Sequence, residues 1–276
     1  MDRVAIVGTG LIGASFGLAL RAAGYHGEIV GVSSPGAVAA AVEAGAIDRG
    51  LPLAEAIPGA GLVFLSQAIG RIIDTIRHLD SLLTPGALVT DAGSTKCEIV
   101  DVARECIRRA QFLGGHPMAG KEKRGPAAGE AELFRGRPWV LTPDEPAEIE
   151  TPAVREFRGW LHQIGARVVV LDSDEHDRVV SLTSHLPQLA STALAAVAGT
   201  APVSVSGPGL YDMTRLAGSS YELWRDILAT NAGHIDRALA AYIQELEHIR
   251  ENLRTRQLQE EFQRGAATAA RLRGTV

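Results

Sequence analysis

Short apolar runs alternate with helical patterns over the first two thirds of the chain, and helical patterns alone fill the rest. Arg3–Val7 (RVAIV), Glu28–Val32 (EIVGV), Leu62–Leu65 (LVFL), 87–90 (ALVT) and 111–114 (QFLG) are strand-length runs, mostly apolar rather than alternating. That pattern predicts parallel strands buried on both faces. Between them, 14–23, 35–44, 69–83 and 95–109 place apolar residues at helical spacing, with stops at Gly24, Gly45 and Pro85-Gly86. Two further strands are predicted at 139–141 and 167–171, with a helix over Pro152–Ile164 between them and a Pro- and acid-rich surface loop at 142–152.

The pattern changes near residue 172. Residues 175–198 form a mostly apolar helical stretch broken near Pro187, 200–209 a Gly/Pro/Ser-rich loop, and 223–264 a helix with a charged outer face. The last dozen residues are expected to fray. No strand pattern and no internal repeat is present. The expected architecture is α/β: an N-terminal Rossmann-type, doubly wound parallel sheet over 1–172, followed by an all-helical domain over 173–276.

The first predicted strand runs into Gly8-Thr9-Gly10-Leu11-Ile12-Gly13, which opens a predicted helix. In G-x-G-x-x-G the first glycine allows the tight turn, the second lets backbone approach a pyrophosphate, and the third lets helix and strand pack closely. The helix N-terminus then offers unpaired N–H groups to phosphate. At the end of the second strand, where an acidic residue would bind a ribose 2′-hydroxyl, stand Ser33 and Ser34. Nothing there repels a 2′-phosphate, so the reading favours NADP over NAD, although no arginine is present to pair with that phosphate; the same serines serve equally as an N-cap for the helix at Pro35.

Composition narrows the classes. The 276 residues carry 27 Lys and Arg against 32 Asp and Glu, a net charge of −5, which speaks against a nucleic-acid binder. The two cysteines, Cys97 and Cys106, lie nine apart in a predicted helix and point in different directions, which excludes a disulfide scaffold or a cysteine metal site. No run reaches the eighteen or so apolar residues of a membrane span, and Met1-Asp2-Arg3 leads straight into a strand without a secretion-signal pattern. A cytoplasmic protein is expected.

The candidate chemistry follows the fourth and fifth strands. Asp91-Ala92-Gly93-Ser94-Thr95-Lys96 and Gly114-Gly115-His116-Pro117-Met118-Ala119-Gly120 both fall at the carboxyl edge of the expected sheet, where ligands of open α/β sheets bind. His116, set among glycines, suits a group that accepts a proton near neutrality. In the second half, Arg215 is a fork suited to a carboxylate, but taken alone it reads equally as a surface ion-pair residue, and His185 as a hydrogen-bonded core histidine.

Over essentially its whole length the sequence resembles the prephenate/arogenate dehydrogenase family of tyrosine biosynthesis. The resemblance rests on GTGLIG at 8–13, DAGSTK at 91–96, GGHPMAG at 114–120, EHD at 175–177, SHLP at 184–187, DMTR at 212–215 and ELWRD at 222–226. It implies oxidative decarboxylation of a cyclohexadienyl acid with hydride transfer to NAD(P)+, a metal-free reaction driven by aromatisation. It further implies that His116 accepts a hydrogen bond from the C4 hydroxyl, that Ser94 lies near that hydroxyl and the nicotinamide, and that Arg215 binds the ring carboxylate. His185 belongs to the substrate pocket, Glu122 and Trp224 flank its mouth, and Asp212 approaches the neighbouring subunit's site in a homodimer formed by the helical domain. Two positions depart from the common family pattern. Gln188 stands where many members have a second histidine, facing the substrate's side chain, and Tyr211 stands where many have a cation before the D-x-T-R aspartate. Arogenate, or both acids, is therefore the alternative to prephenate. With the sequence running to residue 276, an appended regulatory or mutase domain is not expected.

Overall fold

The first apolar run divides its side chains between two cores. In β1 (Arg3–Val7) Val4 and Ile6 face one cluster, and Ala5 and Val7 the other. The same split occurs in β4 (Leu62–Leu65), with Leu62 and Phe64 against Val63 and Leu65. Both strands are covered on both sides, as continuous apolar runs demand. The computed structural model describes residues 1–200, 203–255 and 257–274.

The remaining strands are β2 (Glu28–Val32), β3 (Arg49–Gly50), β5 (Leu88–Asp91), β6 (Gln111–Pro117), β7 (Pro138–Thr142) and β8 (Arg167–Val170). They form one eight-stranded sheet in the order β3-β2-β1-β4-β5-β6-β7-β8. The order reverses between β1 and β4, which is the topological switch point of a Rossmann-type sheet. The helices covering it are α1 (Leu11–Ala22), α2 (Pro35–Glu43), α3 (Leu53–Ala56), α4 (Ile69–Leu79), α5 (Cys97–Cys106) and α6 (Pro152–Ile164). Trp139 anchors one core, with Phe16, Phe64, Phe134 and Phe157 packed around it at ring separations of 5.0–6.2 Å.

Three features of the sheet differ from the sequence expectation. The two-residue β3 is too short to leave a periodic signal. β7 runs antiparallel to β6, while β8 returns parallel to β7. The reason lies in the connections: β7 and β8 are joined through α6, whereas only a single 3₁₀ turn at Pro126–Ala128 interrupts the loop from β6 to β7, and a parallel return needs a crossover element. Finally, β6 extends to Pro117, because its first half pairs with β5 and its second half, Gly114 to Pro117, pairs with β7. His116 therefore sits within a strand, not in a loop after one.

Beyond β8 every regular element among the described residues is helical: α7 (Ser173–Val180), α8 (Leu186–Ala198), α9 (Pro208–Thr214), α10 (Tyr221–Thr230), α11 (Ala232–Asn252) and α12 (Gln259–Arg273). The break expected near Pro187 falls before it, in a π turn over Ser181–His185 where the Leu186 N–H reaches back to the Ser181 carbonyl. Pro187 itself lies in the first turn of α8, where its missing N–H costs nothing. The long helix expected over 223–264 is interrupted at Asn231 and again between α11 and α12, and the segment expected to fray is largely α12. The expected loop at 200–209 contains a 3₁₀ turn at Val203–Val205 and the start of α9, with 201–202 outside the described residues. No described helix is long and apolar enough to cross a membrane.

Candidate active site

The glycine loop has the shape its spacing predicts. Gly8 adopts φ +101°, and a Cβ there would lie 2.6 Å from the Ser66 carbonyl oxygen. A Cβ on Gly13 would lie 2.0 Å from the Gly8 oxygen, while one on Gly10 would meet nothing within 4 Å. Two glycines thus close the turn and the third leaves an open face at the N-terminus of α1, where no side chain caps the helix. Leu11 and Ile12 form the first turn of that helix, and Thr9 is buried with its hydroxyl unpartnered. Ser66, following β4, donates to the Gly8 carbonyl at 2.6 Å and fixes the loop at the switch point. An open, donor-rich helix end beside that point fits a dinucleotide pyrophosphate. Ser33 and Ser34 are exposed beyond β2. Ser34 occupies the N-cap position of α2, yet its hydroxyl makes no capping bond.

A buried polar chain lies at the carboxyl edge of β5 and β6. His116 Nδ1 is 2.9 Å from His176 Nε2, and His176 Nδ1 is 2.8 Å from Asp177 Oδ1. The Asp177 carboxylate also accepts the backbone N–H groups of Lys96 (2.7 Å) and Cys97 (3.0 Å), at the start of α5. Burial works against the Asp177 charge, but the bond from His176 and the two amide donors outweigh it and hold its pKa below the usual carboxylate value. Burial, reinforced by His176, Lys96 and His185, pushes the His116 pKa well below that of free histidine, and burial lowers that of His176 as well, against the opposing pull of Asp177.

These facts fix the protons. A carboxylate only accepts, so His176 carries its proton on Nδ1 and, being neutral, presents a lone pair at Nε2. His116 must then donate from Nδ1, which leaves Nε2 as a lone pair free for a ligand. A second buried pair holds the strand beneath it. Asp91 and Lys96 form a fully buried ion pair. Asp91 accepts the Gly115 N–H at 3.0 Å, and Lys96 Nζ donates to the Gly115 carbonyl at 2.9 Å. Both backbone groups of the residue before His116 are thereby clamped.

The helical half closes over this edge. Asp226 of α10 accepts the N–H of Gly70 at 3.1 Å, and Thr95 donates to Thr230 at 2.7 Å. A narrow cleft remains, lined by Gln67, Ala68, Gly93, Ser94, Leu223 and Asp226. His185, placed by the π turn, is buried. Its Nδ1 faces Asn231 Nδ2 at 3.3 Å and its ring meets Trp224 edge-on at 5.8 Å. Gln188 is buried as well, and its amide donates to the Leu216 carbonyl at 2.8 Å. It thus anchors the 3₁₀ turn Arg215–Gly218 to α8. Arg215, Asp212 and Glu122 are exposed, as is Tyr211. Sequence reasoning gave no role to His176, Asp177, Lys96 and Asn231. The available signal was a polar His-Asp pair on the inner face of α7.

The family model described as prephenate dehydrogenase, nucleotide-binding domain, matches residues 16–170, and that described as prephenate dehydrogenase, dimerization domain, matches 172–267. The glycine loop precedes the matched residues, so its assignment rests on its own geometry. The chain is 32% identical over 240 residues to a prephenate dehydrogenase of Lactococcus lactis, covering 84% of this chain and 65% of that protein, so it spans just under two thirds of that relative's length. Among solved structures, the prephenate dehydrogenase of A. aeolicus, in complex with hydroxyphenyl propionate and NAD+, superposes with a TM-score of 0.89 at 28% identity, covering 100% of this chain and 99% of that one. A Synechocystis arogenate dehydrogenase superposes with a TM-score of 0.83, also at 28% identity, over 99% of this chain and 100% of that one. With matches to both halves and a relative above 30% identity, the chain belongs to the prephenate dehydrogenase family.

Proposed function

We propose that this protein oxidatively decarboxylates prephenate to 4-hydroxyphenylpyruvate. The observation that carries the reading is the lone pair on His116 Nε2, to which nothing among the described residues bonds, held at the sheet edge by the chain running back to Asp177. When bound, the dinucleotide supplies the hydride acceptor. Gly8, Gly10, Gly13 and the first turn of α1 would hold its pyrophosphate. His116 accepts the proton of the C4 hydroxyl as C4 gives up its hydride, and its depressed basicity keeps it unprotonated beforehand. Ser94 orients the hydroxyl. Carbon dioxide leaves C1, its bonding electrons enter the ring, and a phenol results. Aromatisation drives the reaction, so the task left to the side chains is orientation and charge placement. Arg215 grips the ring carboxylate, His185 and Trp224 complete the pocket, and Glu122 lies at its mouth.

The exposed, uncapped hydroxyls of Ser33 and Ser34 support NADP over NAD. The exposed apolar side chains Ile243, Leu246, Leu253 and Phe262 support a homodimer through the helical half, with Asp212 reaching the partner's site. We place the boundary between the halves at 172/173, in the turn between β8 and α7.

Gln188 favours arogenate as a second reading. Its NH₂ is committed to Leu216, so the group left for a substrate side chain is the acceptor Oε1, which suits an ammonium. Steady-state rates with prephenate and arogenate, each with NAD+ and NADP+, test the proposal. Turnover of prephenate is expected, with a lower KM for NADP+. His116→Ala is expected to lower kcat by on the order of 10²–10⁴. Inertness toward both acids overturns the reading.

A further inference from the structure

Asn231 stands at the break between α10 and α11, buried, with its side chain between two acceptors. Nδ2 lies 2.8 Å from the Asp177 backbone carbonyl and 3.3 Å from His185 Nδ1. A carbonyl oxygen only accepts, so the amide cannot be turned the other way without setting oxygen against oxygen. The NH₂ group therefore faces both partners, and Oδ1 is left buried and unpartnered. That is a cost folded proteins rarely carry without a reason.

The consequence falls on His185. Because its Nδ1 accepts from Asn231, the neutral ring must carry its proton on Nε2, and among the described residues nothing bonds to that nitrogen. His185 is thus the reverse of His116, which donates from Nδ1 and keeps a lone pair on Nε2. A second unclaimed donor stands beside it: Trp224 Nε1 is buried without a partner, on the ring that meets His185 edge-on.

We propose that Asn231 is a positioning residue that holds His185 as an Nε2–H donor for a substrate carboxylate, opposite in polarity to the acceptor His116. The inference rests on the proposed function for the identity of that carboxylate, while the assignment of polarity is independent of turnover. One imidazole then receives the hydroxyl and the other gives to the acid. A ligand bound with its ends exchanged would set acid against lone pair and hydroxyl proton against N–H. The neutrality this requires agrees with the surroundings: burial pushes the His185 pKa down to about 4, His176 acts in the same direction, and Asp177 opposes them.

The test uses the full chain loaded with dinucleotide and labelled with ¹⁵N-histidine, with 3-(4-hydroxyphenyl)propionate and 4-ethylphenol as probes. In the wild type, the ring spectra should show His185 protonated on Nε2 and His116 on Nδ1. Asn231→Asp replaces the donor with an acceptor, so His185 should either move its proton to Nδ1 or become a cation whose Nε2–H is lost as pH rises. Affinity for the propionate should then fall about tenfold at alkaline pH, in keeping with loss of one charge-assisted hydrogen bond. Affinity for 4-ethylphenol, which lacks the acid, should not change. Asn231→Ala separates this from general damage. It removes the donor without reversing it, so it should weaken the propionate less than Asn231→Asp does. Nδ1 protonation of His185 in the wild type, or equal losses for both probes in Asn231→Asp, overturns the proposal. The expected spectra and probe affinities without turnover of prephenate or arogenate would overturn the proposed reaction and leave this assignment standing.

Discussion

The proposed site has two unlike halves. The inner half, His116, His176, Asp177, Asp91 and Lys96, is buried, and each proton in it is dictated by a neighbour. The outer half, Arg215, Asp212 and Glu122, carries comparable charge in contact with water. Charges that are buried and hydrogen-bonded act at full strength and need no rearrangement during the reaction, whereas exposed charges are screened and mobile. On the proposed reaction, the inner half would govern rate through orientation and protonation, and the outer half would govern affinity.

Perturbing one half at a time sharpens this contrast. The largest expected loss of stability comes from Lys96→Met, which leaves the Asp91 carboxylate buried without its cation. A loss of about 3–5 kcal/mol is expected, read as a lower midpoint in denaturant. Acidification comes next. His116, His176 and His185 all have folded pKa values below the ordinary histidine value. The unfolded chain therefore binds protons first as pH drops below about 6.5, and stability present above that pH is lost on the way down. For His185 alone, whose folded value is about 4, the loss is on the order of 3 kcal/mol by pH 4. Calorimetry across that range should show Tm falling with pH, and less steeply in His185→Gln. Arg215→Ala, in the outer half, should raise KM for substrate about 10- to 100-fold with little change in kcat or Tm, as expected for loss of a charged contact. The smallest effect is expected from Gln188→Leu, which removes the bond to Leu216 and should cost about 1 kcal/mol of stability while raising KM modestly through the Arg215 turn.

The inner and outer halves also differ in how far the sequence revealed them. Continuous apolar runs located β1, β2, β4 and the strand pairs around them, because burial on both faces imposes a local composition. The glycine spacing of 8–13 and the isolated His116 could be read for the same reason: each carries its constraint in adjacent residues. The chain from His116 to Asp177 could not, since its members are 60 and 61 residues apart in sequence and meet only when α7 packs on β6. Gln188 was read by position as a substrate contact, and only the fold reveals that its amide is spent on Leu216. The antiparallel turn of β7 depended on the absence of a crossover helix between 118 and 137, which a search for strands does not weigh.

The central claim is that Asp177, through His176, keeps the lone pair of His116 turned toward the substrate. Asp177→Ala tests it directly, because it removes the one oxygen that accepts both the Lys96 N–H and the His176 Nδ1 proton, whereas an asparagine oxygen in its place would still accept both and keep the His176 tautomer. Single-turnover reduction of the dinucleotide by prephenate should slow by on the order of 10³–10⁴, the scale seen when a histidine base loses its orienting carboxylate in hydrolytic triads, with affinity for 3-(4-hydroxyphenyl)propionate unchanged. A reduction rate within a fewfold of wild type in a folded Asp177→Ala protein would contradict the account.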